Sequence, residues 1–409
     1  MAKAPKAKTK AVKVNFHEQL ILNKWLWSKF NPNRLEGMKQ QLDYPHFEGI
    51  EHEGDNAGQT KFFSVISNTL FNKQVVDIDV LRRYDLNIVK HWQKITEKRN
   101  EIEGHVLNLK YFQYLSLLFT ELYLDQYFNH QADMLNELNV ELEQYNDDQK
   151  IDADQFQQYL PEDLNKIGYW NATGSGKTLL MHVNILQYLD YFQHQNGGST
   201  YPDQIILLTP NEGLSEQHLQ ELTESGFQAT MFDKQKSRNS LYRDEIQIID
   251  MNKLSDSDGD KTVATMSLEG KNLVLIDEGH RGTSSSAGAW MERRDILTKD
   301  GFSFEYSATF GQAVSKADNV YKRFEDAKKQ KAKMLYGVAI NKLTEEQKKN
   351  IQLDELEQQK YRREALREVY AKSILFDYSY KYFYADGYGK EVNILNMKEY
   401  HEDDERNLY

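Results

Sequence analysis

Seven residues, Ala172-Thr173-Gly174-Ser175-Gly176-Lys177-Thr178, constrain this chain more than any other stretch. Alternate glycines let successive backbone N–H groups close around an anion, and Lys-Thr adds an ammonium and a hydroxyl at the start of a helix. A turn of this kind builds a triphosphate cradle. Lys177 reaches the β- and γ-phosphates, and the Thr178 hydroxyl ligates Mg²⁺. The flanks agree: Lys166 to Asn171 (KIGYWN) reads as a strand entering the loop, and Leu179, Val183 and Leu186 keep helical spacing after it. The expected ligand is ATP with Mg²⁺, held by Ala172 through Thr178.

Further on, Leu273-Val274-Leu275-Ile276 runs apolar into Asp277-Glu278-Gly279-His280. That pattern is a buried strand carrying two carboxylates at its carboxyl end, where open parallel sheets bind ligands. Asp277 is expected to hold Mg²⁺ beside Thr178, and Glu278 to orient and deprotonate the attacking water. A third strand-like run, Phe302-Ser303-Phe304-Glu305-Tyr306, ends in Ser307-Ala308-Thr309, and a fourth, Ile205 to Leu208, ends in Thr209-Pro210-Asn211.

Phosphate loop, Asp-Glu-x-His and Ser-Ala-Thr, in that order, resemble superfamily 2 helicases and translocases of the DEAD/DEAH-box class. In such proteins the first position of the phosphate loop is often not glycine, which accommodates Asn171 here. The resemblance implies that Ser307 and Thr309 couple ATP hydrolysis to nucleic-acid movement, and that His280 helps connect the two sites. It also implies that Thr209, Pro210, Asn211 and Lys253, near the strand Ile246 to Asp250, lie along the nucleic-acid backbone. Within that class, the Ala-Thr-Gly-Ser-Gly-Lys-Thr loop with Asp-Glu-Gly-His looks most like the motor (Res) subunits of type III restriction enzymes and related prokaryotic phage-defence helicases. Gln113, at the start of an apolar helix (YLSLLFTELYLDQYF), resembles the adenine-reading glutamine of the class; a surface glutamine is the other reading.

The resemblance implies a second RecA-like lobe with arginine fingers, worth about 10³ to 10⁵ in rate where dissected. No Gln-x-x-Gly-Arg-x-x-Arg segment occurs in the sequence, so that lobe is expected in a longer polypeptide or in another subunit. Other expected partners are DNA and the methyltransferase or nuclease subunits of a defence system.

Composition bounds the alternatives. With no cysteine, disulfides, zinc fingers and iron-sulfur clusters are excluded. No apolar stretch is long enough to span a membrane, and Met1 to Lys13 lacks the apolar core of a signal peptide, so a cytoplasmic location is expected. The net charge of −12 argues against a globally basic DNA-binding surface, so phosphate affinity has to be local. A nuclease trace, Asp43 or Asp55 followed by Gln59-Thr60-Lys61, is a combination common by accident.

The expected organisation is a basic disordered leader (1–14), a helical accessory domain (15–108) and an adenine-motif helix with an acidic helical insertion (109–163). A RecA-like α/β lobe (164–311), a charged helical arm (312–373) and an aromatic strand-turn segment (374–409) follow. The fold class is therefore α/β, a RecA-like P-loop lobe after a mainly helical N-terminal domain. The expected function is Mg-ATP hydrolysis coupled to movement on DNA, in restriction or anti-phage defence; the alternative is a nucleotide-dependent switch or scaffold that never translocates.

Overall fold

A computed structural model of the 409-residue chain describes residues 15–70, 77–149, 155–195, 201–233, 245–255, 263–278, 293–317, 320–363 and 365–389. The leader 1–14, His280 and the serines 284–286 lie outside them. Short apolar runs become the strands: β1 (Lys166–Asn171), β2 (Ile205–Thr209), β3 (Ala229–Met231), β4 (Ile246–Asp250), β5 (Leu254–Ser255), β6 (Val263–Ala264), β7 (Leu273–Asp277), β8 (Phe302–Ser307) and β9 (Ile374–Tyr378). Seven form one sheet in the order β3-β4-β2-β7-β8-β1-β9, every pairing parallel; β5 and β6 pair separately. Ile205, Leu207, Leu273 and Leu275 enter the core on one face, and Ile206, Leu208, Val274 and Ile276 the core on the other. A parallel sheet covered on both sides needs such uninterrupted apolar strands. This is the expected RecA-like lobe.

Helices α1 (Ile21–Trp27), α2 (Leu35–Leu42), α3 (Lys61–Val65), α4 (Ile78–Glu103), α5 (Tyr111–Asn129) and α6 (Gln131–Asp147) precede the sheet, making the N-terminal region helical. Helix α7 (Lys177–Gln195) follows β1, and α8 (Glu212–Glu224) follows β2. Residues Tyr111 to Asp125 of α5 are all buried, because the helix packs against α7, α4, α6 and β9 at once; a helix enclosed on all sides is apolar all round. Trp25, Ile88 and Trp92 share one core with Tyr169, Leu207 and Phe304, so the N-terminal helices and the sheet pack into one another.

Two segments differ from the sequence expectation. The acidic stretch from Gln131, whose composition rich in Asp, Asn, Glu and Gln reads as a solvated surface, is buried along one side: Met134, Leu138, Leu142 and Tyr145 are buried, and α6 packs on α1 and α5. In the aromatic segment the strand is Ile374–Tyr378, while Tyr380–Ala385 is a helix. Tyr380, Tyr382 and Tyr384 mimic strand alternation, but the ladder with β1 closes at Tyr378, opposite Asn171, and the chain turns away. The lobe thus takes its seventh strand from beyond residue 311. Thr344 and Gln347 form a capping box at the start of the helix Glu345–Asn350. Among the described residues no helix is long and apolar enough to cross a membrane.

Glu121, fully buried on α5, accepts hydrogen bonds from Gln187 Nε2 (2.7 Å), Asn87 Nδ2 (2.8 Å) and Tyr191 Oη (2.9 Å). Burial outweighs these donors and pushes the carboxyl up to about 7. Because the folded value lies above the unfolded one, its stabilising contribution is complete below about pH 4.5 and lost as pH rises through about 7. Glu121→Gln keeps an acceptor for Gln187 and Asn87 and offers Tyr191 a donor. At pH 8 it is expected to melt several degrees above the parent, reflecting up to about 3 kcal/mol, and at pH 5 to match it or fall below. Parallel melting curves from pH 5 to pH 8 in the two proteins would exclude this role for Glu121.

Candidate nucleotide site

After Asn171 the chain turns sharply. Gly174 and Gly176 both adopt φ of +87°, open to glycine and strained for other residues. Ser175 folds the turn on itself, donating to the Ala172 carbonyl from its N–H (3.2 Å) and from Oγ (2.8 Å). The 19-residue α7 then begins at Lys177, aligning its dipole on the loop, with Thr178 in its first turn.

Gln113 meets this loop from α5. Its Nε2 donates to the Ser175 carbonyl (3.1 Å), its Oε1 accepts from the Lys110 N–H (3.0 Å), and a Cβ on Gly176 would lie 2.5 Å from that Nε2. The surface-glutamine reading is therefore excluded. Among the described residues each end of the amide keeps one unused hydrogen-bonding position. Beside it the Phe112 ring stacks on Tyr378 at 3.9 Å, and the Tyr378 carbonyl accepts from the Ala172 N–H (2.9 Å), so β9 braces the loop. The Asn171 carboxamide is fully buried with neither atom hydrogen-bonded among the described residues.

From the other side, Glu278 leaves β7 in a left-handed conformation (φ +51°), the one non-glycine residue with positive φ among those described. This backbone costs about 1–2 kcal/mol, and hydrogen bonds from several sides hold the residue. Its N–H donates to the Tyr306 carbonyl (2.8 Å); its carboxylate accepts from Lys177 Nζ (2.6 Å), Ser307 Oγ (3.1 Å) and the Ala308 N–H (3.3 Å). Ser307 Oγ also accepts from the Thr309 N–H (3.0 Å). Loop, acidic pair and Ser-Ala-Thr segment converge on one carboxylate. Asp277 lies alongside, its Oδ2 3.0 Å from His218 Nε2.

The 209–211 segment needs a correction. Thr209 has no exposed surface, and its hydroxyl is 2.5 Å from Ser215 Oγ, which ties the start of α8 to β2; it offers nothing to a nucleic acid. Only Pro210 and Asn211 reach the surface, with Asn211 Oδ1 capping α8 by accepting from the Leu214 N–H (3.0 Å). Lys253, half-buried, lies 3.8 Å from Glu212. In the nuclease trace, Thr60 is structural: its hydroxyl donates to the buried Asp85 and caps α3 by accepting from the Phe63 N–H. Sequence reasoning missed His218, a lone histidine on a polar helix 59 residues before its partner.

Residues 126–312 match the family model of the type III restriction enzyme, res subunit. That segment of the chain is thus similar to the res-subunit family. The match embraces the 172–178 loop, Asp277, Glu278, Ser307 and Thr309, whereas Gln113 and β9 lie outside it. No curated protein matches the chain. Among solved structures it is similar to a Sulfolobus solfataricus SWI2/SNF2 ATPase core in complex with double-stranded DNA, at 15% identity and a TM-score of 0.23, over 35% of this chain and 28% of that one. The chain thus spans less than a third of that relative's length.

Proposed function

We propose that this chain is half of an ATP-driven motor: it binds Mg-ATP in the 172–178 loop and, closed against a second RecA-like lobe, hydrolyses it to move along DNA. The observation that carries this reading is the 2.6 Å pair between Lys177 and Glu278, with Ser307 on the same carboxylate. A phosphate-binding lysine, a water-activating carboxylate and a coupling hydroxyl then share one point in space.

The donors fit the ligands. Two glycines with no Cβ open the cradle, and Thr178 and Asp277 are hard oxygen donors of the kind that hold Mg²⁺ with help from phosphates and water. Among the described residues no three His, Cys, Asp or Glu side chains form a metal cage of their own, which such a site does not require. Bound Mg²⁺ would neutralise charge developing between the β- and γ-phosphates. Before ATP arrives Lys177 and Glu278 neutralise each other. An incoming γ-phosphate draws the ammonium away, and Oε1 of Glu278 is released to accept a proton from water. Gln113, with its two unused positions, reads the adenine edge. Pro210, Asn211 and Lys253 face the DNA backbone, and His280 helps link the two sites. The match to the res-subunit family supports restriction or anti-phage defence as the setting, with methyltransferase or nuclease subunits as partners, in the cytoplasm.

The net charge of −12 keeps a second reading in view, a nucleotide switch that assembles protein partners without moving on DNA. ATPase assays on a preparation containing both lobes separate the two. Duplex DNA is expected to raise turnover at least about tenfold, or about 1.4 kcal/mol of barrier, and Ser307→Ala with Thr309→Ala to abolish most of that rise. A rate indifferent to DNA would favour the switch. If the double variant instead lost melting temperature, basal rate and stimulation together, the two hydroxyls would be structural, at about 1 kcal/mol per lost hydrogen bond.

A further inference from the structure

His218 is placed where nothing in the fold of α8 requires a histidine. It is almost fully buried, and Nε2 makes the contact to Asp277 Oδ2 at 3.0 Å; no other side chain among the described residues bonds that carboxylate. Its Nδ1 is buried with no hydrogen-bond partner among the described residues. An unmet buried nitrogen costs about 1–3 kcal/mol, so packing alone would favour an apolar residue here. Among the described residues the one polar contact the ring makes is to the carboxylate assigned above to Mg²⁺.

The helix that carries it is anchored along its length. At its start Asn211 caps it and Ser215 bonds to Thr209; at its end the Ser225 hydroxyl bonds to Nδ1 of His182, on α7 (2.8 Å). The imidazole is therefore presented to Asp277 by a helix fixed to β2 on one side and to the phosphate-loop helix on the other.

We propose that His218 is a positioning residue for Asp277: it donates from Nε2 to Oδ2, fixes the carboxylate rotamer and leaves Oδ1 for the metal. The proposal rests on the Mg-ATP reading of the site. A carboxylate held by an outer hydrogen bond binds metal without first having to be ordered, and loss of such a partner typically weakens metal affinity about 10–100-fold. Because Asn211 caps the start of α8, the same ring links the edge assigned to DNA with the metal carboxylate about two helical turns along the helix.

The test uses the 409-residue chain and a fluorescent ATP analogue, titrated with Mg²⁺ at fixed nucleotide and separately with nucleotide in EDTA, alongside melting temperatures. His218→Gln places an amide nitrogen as many bonds from Cβ as Nε2, whereas the equally polar His218→Asn places it at Nδ1. The Asn variant is expected to need about tenfold more Mg²⁺ for half-saturation with unchanged affinity in EDTA, and the Gln variant to stay near the parent. If the Asn variant fails to fold, His218→Leu, of similar size and without a donor, takes its place with the same expectation. Mg²⁺ dependence equal to the parent in the Asn or Leu variant, or equally weakened in Gln and Asn, overturns the proposal and leaves the Mg-ATP reading standing. A parent whose nucleotide binding ignores Mg²⁺ overturns both.

Discussion

Lys177→Ala is expected to abolish turnover and to weaken ATP binding by at least about tenfold, since a positioned cation aimed at developing phosphate charge is worth about 10²–10³ in rate. In the free protein the same ammonium neutralises Glu278, whose carboxylate is almost fully buried. The variant keeps two donors on that carboxylate, Ser307 Oγ and the Ala308 N–H, so the protein should remain folded with a modest loss of melting temperature. Calorimetric titration with ATP, a two-lobe ATPase assay and a melting curve on one preparation decide it. Unchanged binding and hydrolysis would remove the 172–178 loop from the nucleotide site altogether.

Glu278→Gln is expected to separate binding from chemistry. The carboxamide suits the local geometry: its oxygen can accept from Lys177 and from the Ala308 N–H, and its nitrogen can donate to Ser307 Oγ, which already accepts from the Thr309 N–H. The left-handed backbone at 278 is under no more strain than before. What is lost is the proposed base, and removal of a general base lowers turnover about 10²–10⁴-fold. In a two-lobe preparation the variant should therefore retain ATP and DNA in filter-binding or anisotropy measurements while phosphate release falls to background. Turnover within a few-fold of the parent would assign the base to another residue. Taken with Lys177→Ala, the two variants distinguish a loop that fails to bind from a site that binds and cannot react.

The amino-acid sequence by itself determined the parts whose chemistry is local. A phosphate loop is a run of backbone N–H groups made possible by Gly174 and Gly176, and the strand before it and the helix after it are written in apolar spacing. The same holds for Leu273 to Asp277, an apolar run that ends in a carboxylate, and for Phe302 to Ser307, whose alternating aromatic rings mark a strand that ends in a serine, both at the carboxyl ends of strands in a parallel sheet. Only the tertiary structure decided which distant groups meet. Gln113 is legible as a glutamine at a helix start, but its seat on the Ser175 carbonyl depends on how α5 packs beneath the sheet. Thr209 resembles a surface contact until the fold buries its hydroxyl against Ser215. Tyr378 to Tyr384 alternate like a strand, yet the ladder with β1 takes only the residues up to Tyr378. His218 carries no local mark at all, because its partner is reached through the crossover from β2 by way of α8 and β4 to β7. Local periodicity specifies elements. The meeting of side chains across parallel strands is set by sheet order and helix packing, which are properties of the whole core and not of any segment within it.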